Sequence, residues 1–211
     1  MTDKVYFDTD ALELQAAVSS CTQNDDGHFS VILSATVFHP QGGGQPADKG
    51  VLGGANVVHV LHSDEGIVHI TDAPVALGIV HMKVNEEWRM LHARYHSAGH
   101  LIAEVGAKFG WLGLKGNHRP GESRVVFDPT PNKTAVCEEQ FADEVASLVA
   151  QDLLRAIIKV DGKRMVTWGN LSHTRCGGTH VQSTSQVGEV QITRVREKKG
   201  QLTVQYELGG S

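Results

Sequence analysis

The chain has 211 residues, 40% of them hydrophobic and 20% charged, enough apolar content for one large globular domain or two small ones. A net charge of −5 excludes a protein that coats nucleic acid along its length, which needs many phosphate contacts, and leaves room for a local grip on one RNA end. No run reaches the roughly 20 apolar residues of a membrane span, and the start, MTDKVYFDTDALELQ, lacks the basic-then-apolar order of a signal peptide, so a cytoplasmic protein is expected.

From Val5 to about Val84 the chain reads as short strands. The alternating or β-branched runs HFSVILSATVF, GANVVHVLH and GIVHITDAP are broken about every 8 to 12 residues by Gly, Pro, Asn and Asp, the pattern of a small barrel or sandwich. The period then changes. Trp88, Leu91, Tyr95, Ala98, Ile102, Val105 and Phe109 recur at three and four residues, which predicts an amphipathic helix over Glu86 to Phe109 closed by Gly110. A second helix is expected over CEEQFADEVASLVAQDLLRAIIKV (137–160), with Phe141, Val145, Leu148, Leu153 and Ile157 on one side and Asp161-Gly162 ending it. SRVVFD, RMVTW, EVQITRVRE and QLTVQYEL are strand candidates. A domain boundary is placed at the change of period, near Val84 to Glu87.

Cys21, Cys137 and Cys176 are too few and too scattered for a disulfide framework, so the thiols are expected free or metal-bound. Of 12 histidines, His28, His39, His59, His62, His69, His81, His92, His118 and His173 read as surface or core imidazoles without metal. His96 and His100 differ because four residues of helix put both rings on one face, a turn apart. Cys176 and His180 are also four apart, in RCGGTHV, where Gly177 and Gly178 let the backbone bend so that both side chains converge. A helical HxxxH by itself often marks only a helix face. Joined to the CxxxH pair it completes four ligands, and thiolate with imidazoles favours zinc.

HSAGH, RCGGTHV some 75 residues later and FHPQGGGQPADKG ahead of both resemble the editing domain of alanyl-tRNA synthetases and the free-standing alanyl-tRNA editing proteins of AlaX type, in the medium-length form. The resemblance covers about Val5 to Leu208. It implies an α+β fold: an N-terminal small β-barrel carrying the Gly-rich motif (1–86), then a zinc-binding editing domain with an antiparallel sheet and long helices (87–211). It implies hydrolysis in trans of seryl-tRNA, and of glycyl-tRNA, for alanine at the 3′ end, with no membrane and no length left for an ATP-binding domain. Zn2+ would sit on His96, His100, Cys176 and His180. Gly42, Gly43 and Gly44 would bring backbone amides to the ester or terminal ribose and Gln45 would orient it; Lys115, Asn117 and Thr179 are further substrate contacts, and Gln45, His96 and His100 the catalytic set.

Three positions depart from the family pattern. Gly99 stands where synthetase-type sites carry Thr, Leu114 replaces the Gln of a Gln-Lys-Gly-Ser segment, and Thr174 replaces an acidic residue. Two candidate partners for the substrate side chain are thereby missing, so a less selective pocket is expected, and a Thr at 99 is expected to aim its hydroxyl toward the metal's neighbourhood. Four protein ligands describe a closed zinc site, whereas catalytic zinc keeps a position open. Either the metal activates the attacking water through a loosened ligand, or it anchors the substrate amine or hydroxyl while backbone amides and the tRNA ribose hydroxyl place the water. The rival readings are a non-catalytic, zinc-stabilised tRNA-binding module and an editor of seryl-tRNA for threonine. A zinc peptidase is disfavoured because no Glu follows the first helical His. The basic face for tRNA is sought in Arg119, Arg124, Arg194, Arg196, Lys198 and Lys199, against the plain reading of a solvated strand end.

Overall fold

Alternation of inward and outward side chains organises the first half of the chain into β1 (Asp3–Lys4), β2 (Glu13–Gln23), β3 (Phe29–Leu33), β4 (Ala35–Thr36), β5 (Gly50–Leu52), β6 (Ala55–Ser63), β7 (Gly66–Thr71) and β8 (Gly78–Val84). The structure, a computed structural model describing residues 2–210, divides into two units: the chain up to Gly42 with Pro46–Leu91, and Gly43–Gln45 with the chain from His92 onward.

In the first unit β2-β3-β7-β6-β5-β8 form a closed barrel, and each neighbouring pair is antiparallel, so the circuit leaves no open edge. Val31, Leu33, Val60, Ile67, Met82 and Val84 fill it. One imidazole is buried among them: His69 Nδ1 donates to the Val31 carbonyl (3.3 Å) and Nε2 accepts from Thr36 Oγ1 (2.8 Å). Burial pushes its pKa down to about 4. The loop after β4 is pinned by Asp48, whose fully buried carboxylate accepts from the His39 amide (2.6 Å) and from Arg89 Nε (3.0 and 3.1 Å), while Arg89 also donates to the Val37 carbonyl (2.6 Å). A buried charge is tolerated only when paired and bonded in this way.

Helix α1 (Glu86–Lys108) runs through the unit division, which falls after Leu91. In the second unit follow β9 (Trp111–Asn117), β10 (Arg124–Pro129), α2 (Glu138–Ala150), β11 (Arg155–Val160), β12 (Lys163–Trp168), β13 (Thr174–Arg175), β14 (Val190–Lys198) and β15 (Gln201–Leu208). β14-β15-β10-β9 make an antiparallel sheet and β11-β12-β13 a smaller one. Leu101, Ile102, Val105, Phe127, Phe141 and Val204 are buried here. Gly106 allows the close fit, because a Cβ there would lie within 2.9 Å of the Phe127 ring. The α+β class is as expected, and the first helix spans nearly its expected range.

The second helix does not. It stops at Ala150, Asp152 takes a left-handed φ of 48°, and 155–160, expected as helix, pairs instead with 163–168. Asp161 (φ 49°) and Gly162 (φ 72°), read as a helix stop, are the two central residues of a hairpin turn. An Asp-Gly pair with both φ positive matches the twist of the flanking strands, and the β-branched run Ile157, Ile158, Val160 suits them; these outweigh the helical spacing expected over 137–160. No helix among the described residues is long and apolar enough to cross a membrane.

Candidate metal centre

Helix α1 carries His96 and His100, and the turn after β13 carries Cys176 and His180; one donor atom from each lies within 4.8 Å of all the others. Cys176 Sγ is 3.4 Å from His96 Nε2 and 3.2 Å from His180 Nε2. Tetrahedral zinc with ordinary Zn–S and Zn–N bonds would place such a pair roughly 3.5 Å apart, so the donor set fits this ion in element and spacing. Burial, with Arg164 adding to it, pushes the His100 pKa down to about 4; burial, then His100 and Arg164, holds His180 well below the usual range. Both rings are therefore neutral at pH 7, the form that ligates. Burial raises the Cys176 thiol, while the Gly178 amide (3.4 Å) and the Arg164 charge act the other way.

On His96 and His180 the nitrogen facing away from the cluster has a partner. His96 Nδ1 donates to Gln45 Oε1 (2.7 Å), which also accepts from the Thr179 amide (3.0 Å); Gln45 Nε2 donates to Thr179 Oγ1 (2.8 Å). His180 Nδ1 lies 3.4 Å from Ser97 Oγ, which accepts from the Val181 amide (3.1 Å). Partners of this kind fix ring orientation and tautomer. Trp168 closes one side, its ring 5.4 Å from His180 and 5.8 Å from His100.

The hairpin whose first strand was expected as helix holds the cysteine turn. Arg164 on β12 donates from Nη1 to the Cys176 (2.7 Å) and Gly178 (3.2 Å) carbonyls, and Arg155 on β11 donates to the His180 carbonyl (2.5 Å). Gly178 serves close approach: its φ is not left-handed, and a Cβ there would run into the His96 ring and sit 2.7 Å from Gln45 Oε1. The chain bends at Gly178 as expected, without a left-handed φ.

A cavity of about 300 Å³ opens beside the cluster, lined by His96, His100 and Cys176 together with Gly43, Lys115 and His118. Gly43 (φ 58°) and Gly44 (φ 80°) need glycine's left-handed freedom. Of the other expected contacts, Gln45 is buried with its amide engaged by His96 and Thr179, and Asn117 holds the turn after β9, accepting from the Arg119 amide (3.1 Å) and donating to Glu122 (3.3 Å). Gly42 belongs to the first unit, where a Cβ on it would be 3.8 Å from His62 Nε2.

Gly99 leaves no open space. A Cβ there would overlap the His118 ring and lie 3.1 Å from Tyr206 Oη, so the expectation that a Thr hydroxyl would reach toward the metal is overturned. His118, read as a plain imidazole, stacks on His96 (centroids 4.5 Å, 20° between planes) and bonds Tyr206 Oη through Nδ1 at 2.7 Å. Burial, then His100, pushes its pKa down to about 3. The sequence held one hint of it, a glycine in the middle of a ligand-bearing helical turn.

Residues 164–203 match the family of the threonyl and alanyl tRNA synthetase second additional domain. The chain is 30% identical to the alanyl-tRNA editing protein AlaX-M of Methanosarcina barkeri, covering 94% of this chain and 95% of that protein. It is 28% identical to AlaX-L of Pyrococcus horikoshii, over 96% of this chain and 56% of that protein, and 31% identical to the alanine–tRNA ligase of Caldivirga maquilingensis, over 90% and 24%. The chain thus spans about half the length of the one and a quarter of the other.

Proposed function

The chain belongs to the alanyl-tRNA editing proteins of AlaX-M type, and from this we propose that it is a cytoplasmic hydrolase that clears mischarged tRNA for alanine in trans, cutting the ester of serine, and of glycine, at the 3′ end. The observation that carries the reading is a four-donor cluster, three of whose residues line a cavity sized for a small amino-acid ester. The second unit, to which Gly43–Gln45 of the Gly-rich loop belong, is proposed to be the editing domain.

His96, His100, Cys176 and His180 would hold zinc, which supplies a Lewis acid to polarise an ester carbonyl or acidify a water. The chain's own groups do the rest. Gln45 and Ser97 keep His96 and His180 in one tautomer, Arg164 and Arg155 fix the turn, and Trp168 excludes water from one side. Gly43, without a side chain on the cavity wall, lets the ester approach the backbone, and the exposed Lys115 meets the terminal phosphate. An aminoacyl ester is reactive enough that orientation and charge stabilisation suffice without a strong general base.

The test is deacylation of seryl-, glycyl- and alanyl-tRNA for alanine and of seryl-tRNA for threonine by the metal-loaded protein. Seryl-tRNA for alanine should be cut fastest. Preference for the threonine tRNA would move the protein to the other editing branch, and no turnover of any ester would leave a tRNA-binding module.

A further inference from the structure

The His118 ring occupies a slot made by three glycines on three segments. A Cβ on Gly99 of α1 or on Gly116 of β9 would run into the ring, and one on Gly44 would come within 3.1 Å of its Cδ2. The Gly44 carbonyl accepts from the His118 amide (2.9 Å), and the ring lies against His96. An imidazole enclosed so tightly has one orientation.

Its tautomer is settled by the same neighbours. Tyr206 Oη donates its single proton to the Tyr95 carbonyl (2.9 Å), so it can only accept from His118, and Nδ1 carries the hydrogen. Nε2 is then a bare acceptor, and no group among the described residues is bonded to it. The ring lines the cavity. The other polar side chains there are the metal donors and the exposed Lys115, Thr174 and Arg175. His118 is thus the cavity's one buried polar side chain outside the donor set, among the described residues.

We propose that His118 is the residue that selects the substrate's side chain: its Nε2 accepts a hydrogen bond from the hydroxyl of a seryl ester bound in the cavity that the ring lines. The inference rests on the editing reading above and names how that site distinguishes serine from alanine. With an alanyl ester a methyl group faces the acceptor, which is then desolvated and unpaired; a site built around a hydroxyl rejects the analogue lacking it for this reason. A glycyl ester leaves room for a water that can satisfy Nε2, so it falls between the two.

The test compares His118→Phe, which keeps a ring in the slot and removes the acceptor, with the wild type on seryl-, glycyl- and alanyl-tRNA for alanine, alongside zinc content and melting temperature. The seryl-to-alanyl ratio of kcat/KM should fall roughly tenfold to a hundredfold, chiefly through the seryl rate. An unchanged ratio, at whatever overall rate, overturns the role of His118 while leaving editing intact; a wild type inactive on every ester overturns both. Should His118→Phe fail to bind zinc, the decision passes to the wild type with 15N-labelled histidine: an unreactive amide-linked seryl-adenosine should move the Nε2 resonance of a histidine protonated at Nδ1, and the alanyl analogue should not. Equal responses to the two analogues also overturn the proposal.

Discussion

In the barrel one imidazole, His69, is fully buried, and both its nitrogens bond the protein through Val31 and Thr36. In the second unit four imidazoles crowd together, with His96 having ring centroids 5.2, 4.5 and 4.4 Å from His100, His118 and His180. There His96 and His180 each have one nitrogen held by Gln45 or Ser97 and the other turned to Cys176. Burial alone therefore says little about what a histidine does. A ring with both nitrogens satisfied is structural, and a ring with one nitrogen fixed and the other presented is built to bind.

The contrast breaks most sharply at the thiol. Cys176→Ala should take the protein from about one zinc per chain to almost none and lower deacylation by more than about a hundredfold, leaving the barrel folded. Metal analysis with far-UV spectra checks this, and full zinc occupancy in the variant would sink the four-donor assignment. The barrel histidine should respond to acid instead. Its folded pKa of about 4 lies below the unfolded value of 6.5, so the unfolded chain binds the extra proton between those values. Stability from this group is complete above pH 6.5 and lost as pH falls toward 4, by about 3 kcal/mol in all. In His69→Leu that part of the acid dependence should vanish; denaturant melts at pH 7 and 4.5 that shift as much as in wild type would show that His69 is not its source.

Smaller effects sharpen the picture within the metal unit. Gln45→Ala leaves His96 Nδ1 and the Thr179 amide without their acceptor, so zinc affinity should drop roughly tenfold to a hundredfold, read by competition with a chromophoric chelator. Unchanged affinity with slowed deacylation would return Gln45 to the role of a substrate contact. Ser97→Ala should cost least, about two- to tenfold in zinc affinity, since a 3.4 Å bond to His180 is weak. An effect larger than that of Gln45→Ala would make Ser97 the more important support of the two.

The four donors were legible because helical spacing and a CxxxH turn are local patterns, and so was α1, whose apolar stripe and Gly110 stop lie within one stretch. SRVVFD, EVQITRVRE and QLTVQYEL were legible by alternation. What failed was long range. Leu153 and Ile157 continue the helical spacing of 141–148, and only the pairing of 155–160 with 163–168 shows that the chain has turned. The setting of His118 was hard to read beyond the hint at Gly99, because it also depends on Gly44, 74 residues away, and on a tyrosine hydroxyl 88 residues away.

Gly43–Gln45 has a further consequence. These three residues group with a unit whose remaining chain starts at His92, although their neighbours on both sides group with the other. A gene fragment cut at the change of hydrophobic period would encode every metal donor and still lack the glutamine that steadies one of them. Swapping or truncating the front half is thus not a neutral act of protein engineering: any graft of 92–211 onto another scaffold must resupply an amide where Gln45 stood.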